Sequence, residues 1–67
     1  MNFNGEELML MMLYNTGTRL GLIHELRLMQ FYLMPDETAL RELSEGVIEK
    51  LKLMTDAQFA EVEFPMD

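Results

Sequence analysis

Two helix starts are written into this chain almost completely. Asn4 stands three residues before Glu7, and Thr55 three before Gln58. In each pair the first side chain can accept from a backbone N–H one turn on, while the second reaches back to the N–H of the first, so two orphan donors are satisfied together. Each pair is bracketed by apolar residues, Phe3 with Leu8 and Met54 with Phe59, at the spacing of a hydrophobic staple. Such local specification matters because the chain has 67 residues and no cysteine. No disulfide or thiolate metal site can hold it together, and a chain this short buries only ~60% of its unfolded surface. Helix packing, helix caps and partner chains are what remain.

The spacing of apolar residues predicts one domain over 1–67, with helices over about 5–14, 19–33, 36–53 and 56–61. Helix one contains "LMLMMLY", residues 8–14, and so has no wide polar face. Such a helix is central in a bundle or covered by something else. Met9 and Met12 share a face at i,i+3, which favours core, with Met11 off that face. An adaptable partner surface and soft-metal ligation by thioethers are the other readings of these methionines. Helix two carries Leu22, Leu26, Met29 and Leu33 on one face, with Leu20 and Ile23 beside them. Gly21 costs helix propensity there, to be offset by close approach of a neighbouring helix.

Met34-Pro35 interrupts the pattern, because the residue before proline is pushed out of the α region. Pro35 or Asp36 then opens helix three, with Asp36 and Glu37 favourable against its dipole. Leu40, Leu43, Val47, Ile48 and Leu51 mark its buried side; Glu42, Glu45, Glu49, Lys50 and Lys52 mark its wet side. The expected core is Leu8, Leu26, Leu43, Val47, Leu51 and Phe59. In the apolar tail Phe64-Pro65-Met66, Phe64 either folds back onto the bundle or serves as a docking element. No stretch alternates long enough for a sheet. The fold class is all-α, a small bundle of three main helices plus a short C-terminal helix.

Charge narrows the function. Twelve acidic residues face five basic ones, for a net charge of −7. DNA is held mainly through neutralised phosphates, so direct nucleic-acid binding is disfavoured and a basic protein is the better partner. A helix-turn-helix reader fits the helix count but requires cations on its recognition helix. The longest apolar run, seven residues, is far short of the ~20 needed to span a membrane. The acidic amino-terminal stretch is unlike the basic start of a secretory signal. A cytoplasmic protein is expected.

No constellation for catalysis stands out. His24 is the lone histidine, and a Ser–His pair would need Ser44 from another helix. The carboxylates are dispersed and do not follow a calcium-loop pattern. We therefore expect no enzyme, no catalytic residue, no cofactor and no metal. One polar island, Asn15-Thr16-Gly17-Thr18-Arg19, interrupts the apolar amino-terminal half. It reads first as an interhelical turn: Gly17 can adopt positive φ, and Thr16 or Thr18 can cap helix two. A contact site is the second reading, with an anion held at the helix start, although the spacing matches no phosphate-binding motif. Asn15, Thr16 and Arg19 are accordingly the candidate partner-binding residues.

From Phe3 to Asp67 the chain resembles the transposon-transfer assisting protein family, small proteins of bacterial conjugative transposons. "NGEELMLMMLYNTGTR", "LIHELR", "YLMPDETAL" and "KLKLMTDAQFAEVEF" followed by "PMD" carry the resemblance in order. It implies a small helical accessory protein encoded by a mobile element, and it brings no catalytic residue. Transfer is then assisted by protein–protein interaction with a basic component of the transfer or excision machinery, by a monomer or a homodimer that buries helix one. The rival is an acidic DNA mimic that uses Glu42, Glu45 and Glu49 to occupy the nucleic-acid site of a basic DNA-binding protein.

Overall fold

The computed structural model describes residues 3–64. Met1, Asn2 and residues 65–67, with them the Pro65-Met66 part of the apolar tail, lie outside the described residues. Four helices follow in order: α1 Gly5–Tyr14, α2 Arg19–Phe31, α3 Thr38–Leu53 and α4 Asp56–Ala60. Among the described residues there is no strand. α1, α2 and α3 pack pairwise against one another.

Both capping boxes form. Glu7 N donates to Asn4 Oδ1 at 2.8 Å and Asn4 N donates to Glu7 Oε1 at 2.9 Å. Gln58 N donates to Thr55 Oγ1 at 3.1 Å and Thr55 N to Gln58 Oε1 at 2.9 Å. Each side-chain cap is worth about 1 kcal/mol, a sizeable share of what a domain of this size can muster.

α3 starts later than expected. Glu37 N donates to Met34 O at 3.0 Å, so Met34-Pro35-Asp36-Glu37 is a β-turn with proline at its favoured second position. Glu37 Oε2 then accepts from Met34 N at 2.8 Å, locking the turn and drawing that carboxylate away from the helix start. Asp36 thus lies outside the helix and Glu37 is its N-cap without a side-chain cap bond. α2 ends at Phe31, two residues short of the expected 33, because Tyr32 N and Leu33 N bond to Met29 O and Gln30 O in tightened i→i+3 turns.

The core draws Leu10 and Met11 from α1, Leu22, Ile23 and Leu26 from α2, Val47, Ile48 and Leu51 from α3, and Phe59 from α4. Leu8 and Leu43, expected inside, are half-buried at its margin, where Phe64 also packs. The methionine reading reverses. Met11 is fully buried at 0% exposure, whereas Met9 and Met12 are exposed at 53% and 42%. The inward stripe of α1 is Glu7, Leu10, Met11 and Tyr14, and Met9 and Met12 stand on the opposite side of the cylinder.

Candidate functional site

The polar island is a worked turn. Gly17 has φ 98°, a left-handed conformation that favours glycine. Its N–H donates to Asn15 Oδ1 at 2.8 Å, an Asx turn. Thr18 is the N-cap of α2, its hydroxyl accepting from Gly21 N at 3.0 Å. These two backbone donors, which a phosphate or carboxylate would use, are therefore already engaged inside the chain. Gly21 also finds its close neighbours here, not on another helix. A Cβ at that position would collide with the hydroxyl of Thr16 and stand 2.6 Å from that of Thr18.

Arg19 reaches from the start of α2 to the end of α3 and the start of α4, which lie at the same end of the bundle. Its Nη1 donates to Leu51 O at 3.0 Å, in the last turn of α3, where unpaired carbonyls attract cations. Its Nε donates to Asp56 Oδ1 at 2.9 Å, in the first turn of α4. One guanidinium, with its fixed fork of donors, thereby fastens three helices. Asn15 and Arg19 lie in the wall of a surface groove of about 670 Å³, together with Leu20, Phe59, Val62 and Phe64. Thr16 is exposed, in the loop between the lining residues Asn15 and Gly17. Of the three residues singled out in the sequence, two share this groove, and both already make internal hydrogen bonds, Asn15 through its side-chain oxygen and Arg19 through its guanidinium.

A second polar site was not visible in the sequence. Glu7, legible only as a capping residue, lies with its side chain 7% exposed and accepts a hydrogen bond from Lys50 Nζ at 2.7 Å. Lys50 does not belong to the wet side of α3. It is half-buried, and its ammonium stands 5.5 Å from the centroid of the Phe3 ring, within cation–π range. Burial alone would raise the Glu7 pKa, but the hydrogen bond from Lys50, that from Asn4 N and the Lys50 charge outweigh it, so the carboxyl is held below its ordinary value. The available signal was spacing: Glu7 shares the inward stripe with Met11 and Tyr14, and Lys50 stands one turn from Val47.

His24 and Ser44 do not form a pair. His24 is exposed on the outer side of α2, whereas Ser44 is fully buried. The Ser44 hydroxyl accepts from Gln30 Nε2 at 2.9 Å and donates to Arg41 O at 2.9 Å, which makes it a polar link between α2 and α3. Among the described residues, no group of three or more His, Asp or Glu is placed to hold a metal, and no helix is long and apolar enough to cross a membrane.

The outer faces of the helices differ sharply. That of α3 carries the exposed Glu42, Glu45 and Glu49, with Lys52 Nζ 3.8 Å from Glu49 Oε1. Those of α1 and α2 carry exposed Met9, Met12, Leu13, Leu20, Leu28 and Phe31. With the four-helix order and these surfaces established, the model of one protein family matches residues 3–65, under the description "Putative transposon-transfer assisting protein". The chain belongs to this family. That description names an assisting protein and not an enzyme. No curated protein and no solved structure matches the chain.

Proposed function

We propose that this member of the family is a non-enzymatic, cytoplasmic accessory protein of a bacterial conjugative transposon, which assists transfer by docking onto a basic protein of the transfer or excision machinery. The observation that carries this reading is the row of exposed carboxylates Glu42, Glu45 and Glu49 along α3, on a chain of net charge −7. A predominantly negative surface steers a partner of the opposite sign and disfavours polyanions. In this reading Asn15 and Thr16 add polar contacts at the rim of the groove beside Arg19. Cross-linking in donor cells, followed by recovery of the tagged chain, tests it. A basic transfer or excision protein should be recovered and should be released by raised salt; recovery of no transfer-related protein contradicts the proposal.

The same carboxylate row favours a second reading, in which it stands in for DNA phosphates on a basic DNA-binding protein. Replacing Glu42, Glu45 and Glu49 by lysine would then abolish competition with DNA for that protein. Unchanged competition would remove this reading and leave simple docking.

A further inference from the structure

Charge is sorted in this molecule by helix. Between residues 8 and 35 the chain has one carboxylate, Glu25, alongside Arg19, His24 and Arg27. Between 36 and 64 it has eight: Asp36, Glu37, Glu42, Glu45, Glu49, Asp56, Glu61 and Glu63. The α1–α2 hairpin beyond its first turn is thus poor in negative charge, and that part of the bundle turns large apolar side chains outward. Leu13 is 74% exposed and Phe31 86%. Taken together, Met9, Met12, Leu13, Leu20, Leu28 and Phe31 expose on the order of 700 Å² of residue surface, comparable to the ~800 Å² per partner of a standard interface. The largest apolar patch on a typical monomer is about 300–600 Å².

From this we infer that the outer face of α1 and α2 is covered by a second copy of the same chain. A two-fold interface brings one patch against itself, so it has to be self-complementary. The outer side of α3 meets that condition poorly, since the exposed Glu42, Glu45 and Glu49 outnumber the Arg41 and Lys52 beside them. The α1–α2 face comes closer to it, because its apolar side chains can pair with apolar side chains around the exposed His24 and Arg27, while the acidic α3 sides are turned away, where screening over ~10 Å weakens their repulsion. A basic partner, by contrast, has little to gain on a face that carries Arg27 and whose helices expose one carboxylate among the described residues, Glu6 in the first turn of α1. Dimerisation therefore does not depend on the proposed docking role, and it leaves the α3 row open on both copies.

Sedimentation equilibrium of the purified full chain, from low micromolar to submillimolar concentration, tests the inference. A monomer–dimer equilibrium is expected. Leu13→Glu and Phe31→Glu should each raise its dissociation constant about tenfold or more, a loss of roughly 1.4 kcal/mol. Leu53→Glu, at a residue 71% exposed on α3, should leave it unchanged. Circular dichroism confirms that the variants fold, and Leu13→Gln replaces any glutamate variant that does not. A chain that stays monomeric throughout overturns the inference, as does an equal effect of Leu53→Glu. So does a monomer that instead co-sediments with neutral phosphatidylcholine vesicles, which would assign the face to a membrane surface.

Discussion

Glu7 Oε1 lies 2.7 Å from Lys50 Nζ, tying the first turn of α1 to the last turns of α3. The same oxygen accepts from Asn4 N, so one carboxylate closes a helix cap and a tertiary contact together. Its side chain reaches into the core beside Gly46, whose missing Cβ would stand 3.6 Å from Glu7 Oε2.

Removing this group should cost more than a surface charge does. Glu7→Ala loses the cap bond and leaves a half-buried ammonium without its carboxylate, for about 2–3 kcal/mol. Glu7→Gln keeps an acceptor for Asn4 N and loses only the charge, for about 1–2 kcal/mol. Urea unfolding followed by circular dichroism measures both. Equal losses would mean that the cap bond contributes nothing beyond the ion pair.

The lowered pKa of Glu7 has a defined consequence for acid stability. Its carboxyl binds a proton more weakly in the folded chain than at the ordinary value of 4.5. The unfolded chain therefore takes up the proton first as pH falls. The stabilisation is fully present above pH 4.5 and disappears as pH drops through the folded-state value. Unfolding free energy measured from neutral pH down to pH 3 should fall less steeply in Glu7→Gln than in the parent chain. Parallel curves would place the acid sensitivity elsewhere.

Two helical glycines should respond oppositely to alanine. At Gly46 the added Cβ meets only an ordinary contact, so Gly46→Ala should gain about 1 kcal/mol of helix propensity. For a domain this small that is a rise in Tm of about 4–8 °C. At Gly21 the Cβ collides with the hydroxyls of Thr16 and Thr18, and the second of these is the α2 cap. Loss of the cap and the steric conflict should exceed the propensity gain, leaving Gly21→Ala about 1 kcal/mol less stable. A raised Tm in Gly21→Ala would show that both threonines rotate away without cost.

Arg19 should be needed to hold α4. Arg19→Ala removes the bonds to Leu51 O and Asp56 Oδ1, for about 1–2 kcal/mol. Asp56→Asn removes only the partner that is 79% exposed and should cost ~0.5 kcal/mol or less. Amide hydrogen exchange should report the Arg19→Ala loss chiefly in α4 and the last turn of α3. A uniform loss of protection across all helices would argue against a local fastening.

Much of the local structure is legible in residues a few positions apart. Asn4 with Glu7 and Thr55 with Gln58 specify helix starts because both partners of each bond belong to one turn. The alternation of α3 between Val47, Ile48, Leu51 and the glutamates is equally readable, since its two sides differ in chemistry. α1 has no such contrast. With "LMLMMLY" apolar all round, its sequence does not say which side turns inward, and Met9 and Met12 offer as good a face as Met11. The turn at Pro35-Asp36 was hidden for a related reason: proline and an acidic residue suit both a helix start and a β-turn.

By itself, then, the sequence determined four helices, their order, two of their starts, and an acidic chain of net charge −7. These depend on bonds within a turn and on totals, which need no long-range information. Only the tertiary structure decided the rotation of α1, the pairing of Glu7 with Lys50, and the commitment of Arg19 to Leu51 and Asp56. These pairings join residues more than thirty positions apart. No local propensity encodes such a partner; packing α1 and α2 against α3 brings it within reach.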